Sequence, residues 1–130
     1  MVLFMLLPGL ALFYGGLVQS KHVMSVMMQC FGIACVCGLS WLVCGYSLAF
    51  SGNGSFVGDL SYSMMGPIRN DHHEMVSNVP IECFFLFQGT FAVITPALVI
   101  GAWAERARFG AVLVFSLLWQ ILVYCPVCHW

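Results

Sequence analysis

The sequence predicts an all-α membrane protein with four transmembrane helices, on three observations. Of the 130 residues, 62% are apolar and 7% are charged, whereas a soluble domain carries about 25% charged residues. The apolar residues gather into four segments, Met1 to Val18, Val23 to Phe50, Val79 to Ala104 and Phe109 to Trp130, each in or near the range that crosses a bilayer. Within the third, the 22 residues from Cys83 to Ala104 carry no formal charge; at 1.5 Å rise per residue they cover about 33 Å, against a hydrocarbon core of roughly 30 Å. Lipid is therefore the solvent this chain is built for.

The first segment has about 18 residues, the short end of the spanning range, and Phe13-Tyr14-Gly15-Gly16 near its end supplies interfacial aromatics and glycines suited to helix termination or close packing. It is apolar from Met1, without the basic leader and small-residue cleavage site of a signal peptide, and reads as a helix already under way. The turn from Gln19 to His22 is short, as is Glu105 to Arg108, so consecutive helices are expected as antiparallel neighbours. The long connection from Ser51 to Asn78 is rich in Gly, Ser and Asn and holds Asp59, Arg69, Asp71, His72, His73 and Glu74. The fourth segment stays apolar to Trp130 with no polar tail, so both ends read as cuts through a larger protein.

The two short turns carry Lys21, Arg106 and Arg108, while the long loop carries only Arg69. The positive-inside rule then puts the short turns in the cytoplasm and loop 51–78 outside, in a plasma or cytoplasmic membrane. A net charge of −1 with four cationic side chains excludes nucleic-acid binding, which needs a basic surface. Seven cysteines, an odd number set largely in apolar segments, read as small hydrophobes rather than as a disulfide framework. Small residues four apart, at Ala34/Gly38, Gly45/Ala49 and Ala97/Gly101, let helix backbones approach closely in lipid.

Three groups of residues are candidate sites. On the third segment, which also holds Thr90 and Pro96, Phe87 and Phe91 share a helix face with Gln88 and Thr95 close to it. Aromatic faces attract cations. A monovalent cation leaving water gives up hydration of order 20 kcal/mol by the idealised Born value, and a desolvated ring returns about 2 kcal/mol, so other groups must share the task. On the residues alone, simple packing of two phenylalanines and a tolerated proline kink stands beside this reading. Cys125-Pro126-Val127-Cys128-His129 fits the C-x-x-C-H form of covalent c-type haem attachment, and a thiol redox pair or zinc site is a further use of the same residues. Asp71-His72-His73-Glu74 reads as a divalent-metal site or as a solvated loop, and Glu105, Arg106 and Arg108 as a membrane boundary or an ion-pair cluster.

Several blocks together resemble the ammonium transporter (Amt) family. They are Pro8-Gly9-Leu10-Ala11-Leu12-Phe13-Tyr14-Gly15-Gly16-Leu17, Phe87-Gln88-Gly89-Thr90-Phe91-Ala92-Val93-Ile94-Thr95-Pro96-Ala97-Leu98 and Gly101-Ala102-Trp103-Ala104-Glu105-Arg106-Ala107-Arg108-Phe109. Trp41, Gly45-Tyr46-Ser47-Leu48-Ala49-Phe50 and Tyr124-Cys125-Pro126-Val127-Cys128-His129-Trp130 extend the match across all four segments, with loop 51–78 the least diagnostic part.

The resemblance implies an eleven-helix fold built on an inverted repeat, assembled as a homotrimer with one pore per subunit, of which this chain holds helices 1 to 4, truncated at both ends. It implies a channel or transporter for ammonium or ammonia, with methylammonium as an analogue, and neither an enzyme nor a cofactor. Phe91 matches the phenylalanine shared by the outer recruitment site and the gate, and Phe87 matches the one a turn nearer the outside. The recruitment tryptophan belongs just beyond Trp130, which is not that residue. The second gate phenylalanine, the site serine, an aspartate of helix 5 and the two pore histidines also fall outside the chain, so this fragment alone is expected to be inactive. A Tyr-x-Pro-x-x-His segment occurs in the family without haem, which makes the Cys125/Cys128 pair incidental. The competing readings are a membrane redox protein with haem at Cys125, Cys128 and His129, and a structural membrane subunit.

Overall fold

Four helices follow one another in the computed structural model, which describes residues 2–51, 54, 56–66, 75–76 and 79–130. They are α1 (Val2–Leu17), α2 (Ser20–Phe50), α3 (Ile81–Ala102) and α4 (Phe109–His129). The last three have 31, 22 and 21 residues and are long and apolar enough to cross a membrane, reaching about 46, 33 and 31 Å at 1.5 Å per residue. α1 has 16 residues. The third apolar segment opens on a strand rather than on a helix. β1 (Met75–Val76) pairs antiparallel with β2 (Val79–Pro80), Val76 facing Val79 and Met75 facing Pro80. Pro80 stays extended (φ −55°, ψ 137°) and α3 starts at the next residue, since proline has no N–H with which to prolong the ladder.

α2 lies at the centre, packed against α1, α3 and α4. Glycines make the contacts close, because each leaves room for a large neighbour. A Cβ on Gly32 would meet the Leu113 and Phe109 side chains of α4 at 2.8 and 2.9 Å, and one on Gly101 would meet the Tyr14 ring of α1 at 3.0 Å. The buried residues form two clusters stacked along α2. One is aliphatic, joining Val26, Cys30, Ile33 and Cys37 to Ala11, Val93, Ala97, Ile100 and Val112. The other is aromatic, joining Trp41, Tyr46 and Ala49 to Ile81, Phe85 and Ala92, with half-buried Tyr124 and Cys128 against it. Cys30, Cys37 and Cys125 are buried, Cys35 and Cys83 are exposed, and all seven thiols are free.

Two helices carry a widened turn at the same level. In α2 the Tyr46 N–H donates to the Trp41 carbonyl, five residues back instead of four. In α4 the Cys125 N–H reaches the Gln120 carbonyl in the same way. Pro126 follows at once, and its missing N–H deprives the Leu122 carbonyl of the usual partner. Gln120 Nε2 donates to the Cys37 carbonyl at 3.1 Å and the Cys125 thiol to the Gly45 carbonyl at 3.6 Å, which sets the two widened turns side by side.

The short turns meet at one end of the bundle. The Gln19 N–H donates to Glu105 Oε1 at 2.8 Å, and the Tyr14 hydroxyl to the Leu98 carbonyl at 2.7 Å. At the other end, residues 56–66 fold back onto the end of α2. The Gly58 N–H donates to the Leu48 carbonyl at 2.8 Å, the Asp59 N–H to the Ser51 carbonyl at 3.2 Å, and the Ser47 and Ser51 hydroxyls both donate to the Asp59 carbonyl.

Candidate functional site

α3 has two unlike faces. Phe85, Gly89, Ala92, Val93, Pro96 and Ala97 are buried against the bundle, whereas Phe87 and Phe91 project from the opposite side, 51% and 43% exposed. Their rings meet edge to face, centroids 5.1 Å apart at 77°, the arrangement in which the positive edge of one ring addresses the negative face of the other. The polar residues around them are satisfied within the helix. Thr90 Oγ1 donates to the Phe87 carbonyl at 2.6 Å and Thr95 Oγ1 to the Phe91 carbonyl at 2.5 Å, so two hydroxyls sit at membrane depth without an unpaired donor. Gln88 is half-buried.

The site rests on a prop that its own motif does not reveal. Trp41 of α2 lies behind α3, in contact with Tyr46, Phe50, Phe85 and Tyr124 at centroid distances of 5.9 to 6.4 Å. Its indole N–H donates to the Phe85 carbonyl at 3.3 Å. Gly89 admits it: a Cβ there would lie 3.0 Å from indole atoms. A tryptophan N–H inside an apolar helix needs an acceptor on a neighbour, the signal by which sequence reasoning could have found this prop.

The sequence match is as extensive as the site is local. The model of the Ammonium Transporter Family matches residues 1–130. The chain belongs to the ammonium transporter family. It is 44% identical over 130 residues to the ammonium transporter of Bacillus subtilis, covering 100% of this chain and 32% of that protein. It is 39% identical to ammonium transporter MEP2 of Saccharomyces cerevisiae, covering 96% of this chain and 26% of the relative. In the crystal structure of Candida albicans Mep2, the match has a TM-score of 0.84 at 38% identity and covers 99% of this chain and 28% of that one. The chain thus spans about a third or less of the relatives it matches.

The other candidates fare differently in this transporter-family chain. The Cys125 side chain is buried with its thiol on the Gly45 carbonyl, and both His129 ring nitrogens are engaged by backbone carbonyls, Ala49 at 3.1 Å and Gly54 at 2.8 Å. A c-type haem needs two accessible thiols and a free imidazole nitrogen, so the C-x-x-C-H match does not make a haem site. Arg69 and Asp71 to Glu74 lie outside the described residues. Glu105 binds the Gln19 backbone, where sequence reading weighed it as a boundary residue or an ion-pair partner.

Proposed function

We propose that the protein carrying this chain moves ammonium or ammonia across a membrane, with Phe87 and Phe91 forming one wall of a site that receives the ion. The observation carrying this reading is the edge-to-face pair at 5.1 Å, half-exposed on the α3 face turned away from the other described helices. A cation approaching that face meets ring π-density in place of water. Each desolvated ring face offers about 2 kcal/mol, far below the hydration the ion gives up, so the site is shared with further groups. Beyond it the ion sheds its proton before or during passage, because an apolar conduit passes the neutral molecule far more readily than a charge. The same conduit rejects hydrated sodium and potassium.

The wider reading follows from the family. The protein acts as a channel or transporter and not as an enzyme, in a homotrimer in the lipid bilayer, with the short turns cytoplasmic and loop 51–78 outside. The meeting of the two short turns at one end of the bundle and their Lys and Arg content support this orientation. No second aromatic wall faces Phe87 and Phe91 among the described residues, which supports reading residues 1–130 alone as inactive.

Phe91→Ala in the full-length protein tests the site. Loss of one ring worth about 2 kcal/mol weakens ion recruitment roughly 30-fold, read as methylammonium uptake at limiting concentration or as lost discrimination against potassium. Phe91→Tyr, which keeps a π-face, retains most of both. Uptake and ion discrimination unchanged in Phe91→Ala would remove the aromatic wall from the account.

A further inference from the structure

We propose that a second cation site lies at the short-turn end of the bundle, where Glu105 and the carbonyl ends of α1 and α3 receive an ammonium-type ion. This site presupposes that Phe87 and Phe91 meet a cation, because it closes the far end of the face those rings open. At 100° per residue Phe87, Phe91, Ile94, Leu98 and Gly101 fall within about 40° of one line along α3. All five lie on its open side: Phe87, Phe91, Leu98 and Gly101 are exposed and Ile94 is half-buried. Followed away from the two rings, the line ends on an open cavity of about 540 Å³, lined by Tyr14, Leu17, Gln19 and Glu105 as well as Gly101.

The walls of this cavity suit a positive ion. α1 ends at Leu17 and α3 at Ala102, and the last carbonyls of a helix lack in-helix partners and carry the negative end of its dipole. Glu105 is the one charged residue lining the cavity; Lys21, Arg106 and Arg108 of the same two turns do not line it. Glu105 adopts φ 72°, a left-handed conformation that is uncommon outside glycine and that gathers at functional sites. Its Oε1 accepts from the Gln19 N–H at 2.8 Å, and a carboxylate has acceptor capacity beyond one such bond. The Tyr14 ring is held beside it, its hydroxyl on the Leu98 carbonyl at 2.7 Å and Gly101 leaving it room, since an added Cβ there would meet the ring at 3.0 Å. An ammonium-type ion brings N–H donors for the carboxylate and a charge for the π-face. In so open a cavity it keeps part of its water, so it binds weakly, as a conducted ion must wherever it has also to leave.

The test is methylammonium flux through the full-length protein, reconstituted in one orientation in liposomes, with substrate supplied from either face. Glu105→Gln removes the charge and keeps an acceptor for the Gln19 N–H. It should raise the half-saturating concentration on the short-turn side about tenfold, the size of one hydrogen bond to a charged group, and leave the loop-side value unchanged. Phe91→Ala should do the reverse. Leu17→Lys, at a position 69% exposed, sets a competing ammonium group at the cavity and should raise the short-turn-side value as well, which keeps the test open where Glu105→Gln does not fold. An unchanged short-turn-side value in either variant overturns the proposal, and so does an equal rise on both sides in Glu105→Gln, the mark of a merely structural role. Wild-type protein without methylammonium flux overturns this site together with the reading it rests on, whereas flux that responds to Phe91→Ala and not to Glu105→Gln overturns this site alone.

Discussion

Gly58 shows how much one missing side chain decides. Its N–H reaches the Leu48 carbonyl at 2.8 Å because nothing stands between the loop and the end of α2. A Cβ there would press on the Ser47 and Leu48 carbonyl oxygens at 2.7 and 2.9 Å and on that of Ser51. Those oxygens belong to backbone and cannot swing aside as a flexible side chain can. Gly58→Ala should cost about 1–3 kcal/mol, the usual penalty for overpacking, and should open the loop to protease at residues 54–66. An unchanged melting temperature and cleavage pattern would show that the loop does not need this approach. Gly89 is the same device against the Trp41 indole. In the sequence both are simply two of 13 glycines, and nothing local separates them from glycines such as Gly9 and Gly110, which have no atom within 4 Å of an added Cβ. By contrast Phe87 and Phe91 were legible, since four-residue spacing on a charge-free helix puts two rings on one face whatever surrounds them.

Helix spans follow directly from composition, but the widened turns within them do not. Apolar runs broken by Lys21 and by Glu105, Arg106 and Arg108 fix α2, α3 and α4 to within a few residues, because lipid forces every backbone group into helical hydrogen bonds. The turn at Gln120–Tyr124 arises from Pro126 together with contacts to α2, and only the proline can be read locally. Strand pair β1/β2 was missed because four residues carry no usable periodicity. Between the widened turns Gln120 is buried, its Nε2 on the Cys37 carbonyl at 3.1 Å and its Oε1 without a partner among the described residues. The Cys37 carbonyl also accepts from the Trp41 N–H, so removing the amide strands no acceptor. Gln120→Met, close in volume, should therefore change stability by less than about 1 kcal/mol, while Gln120→Ala should cost about 2–4 kcal/mol through the cavity it leaves. Thermal unfolding of the full-length protein distinguishes these, and a Met variant as damaged as the Ala variant would mean that the amide itself holds the two turns together.

At the scale of the whole molecule, the bundle has a fastened end and a folded-over end with an aromatic face between them. Tyr14, Gln19, Leu98 and Glu105 tie the short turns, and Ser47, Ser51, Asp59 and His129 bind the long loop. The membrane class and the family were legible because apolar runs and the order and spacing of the quoted blocks are properties read along the chain. The prop behind the site, Trp41 against Gly89, was not, because it joins residues 48 positions apart. Phe87 and Phe91 face outward from the described helices, as the proposed site requires. Uptake by the full-length gene, expressed in cells stripped of their own ammonium uptake, tests transport itself. A transporter gives growth on limiting ammonium together with methylammonium accumulation that excess ammonium suppresses. Protein present and folded in the membrane, with neither growth nor methylammonium accumulation above background, would contradict it.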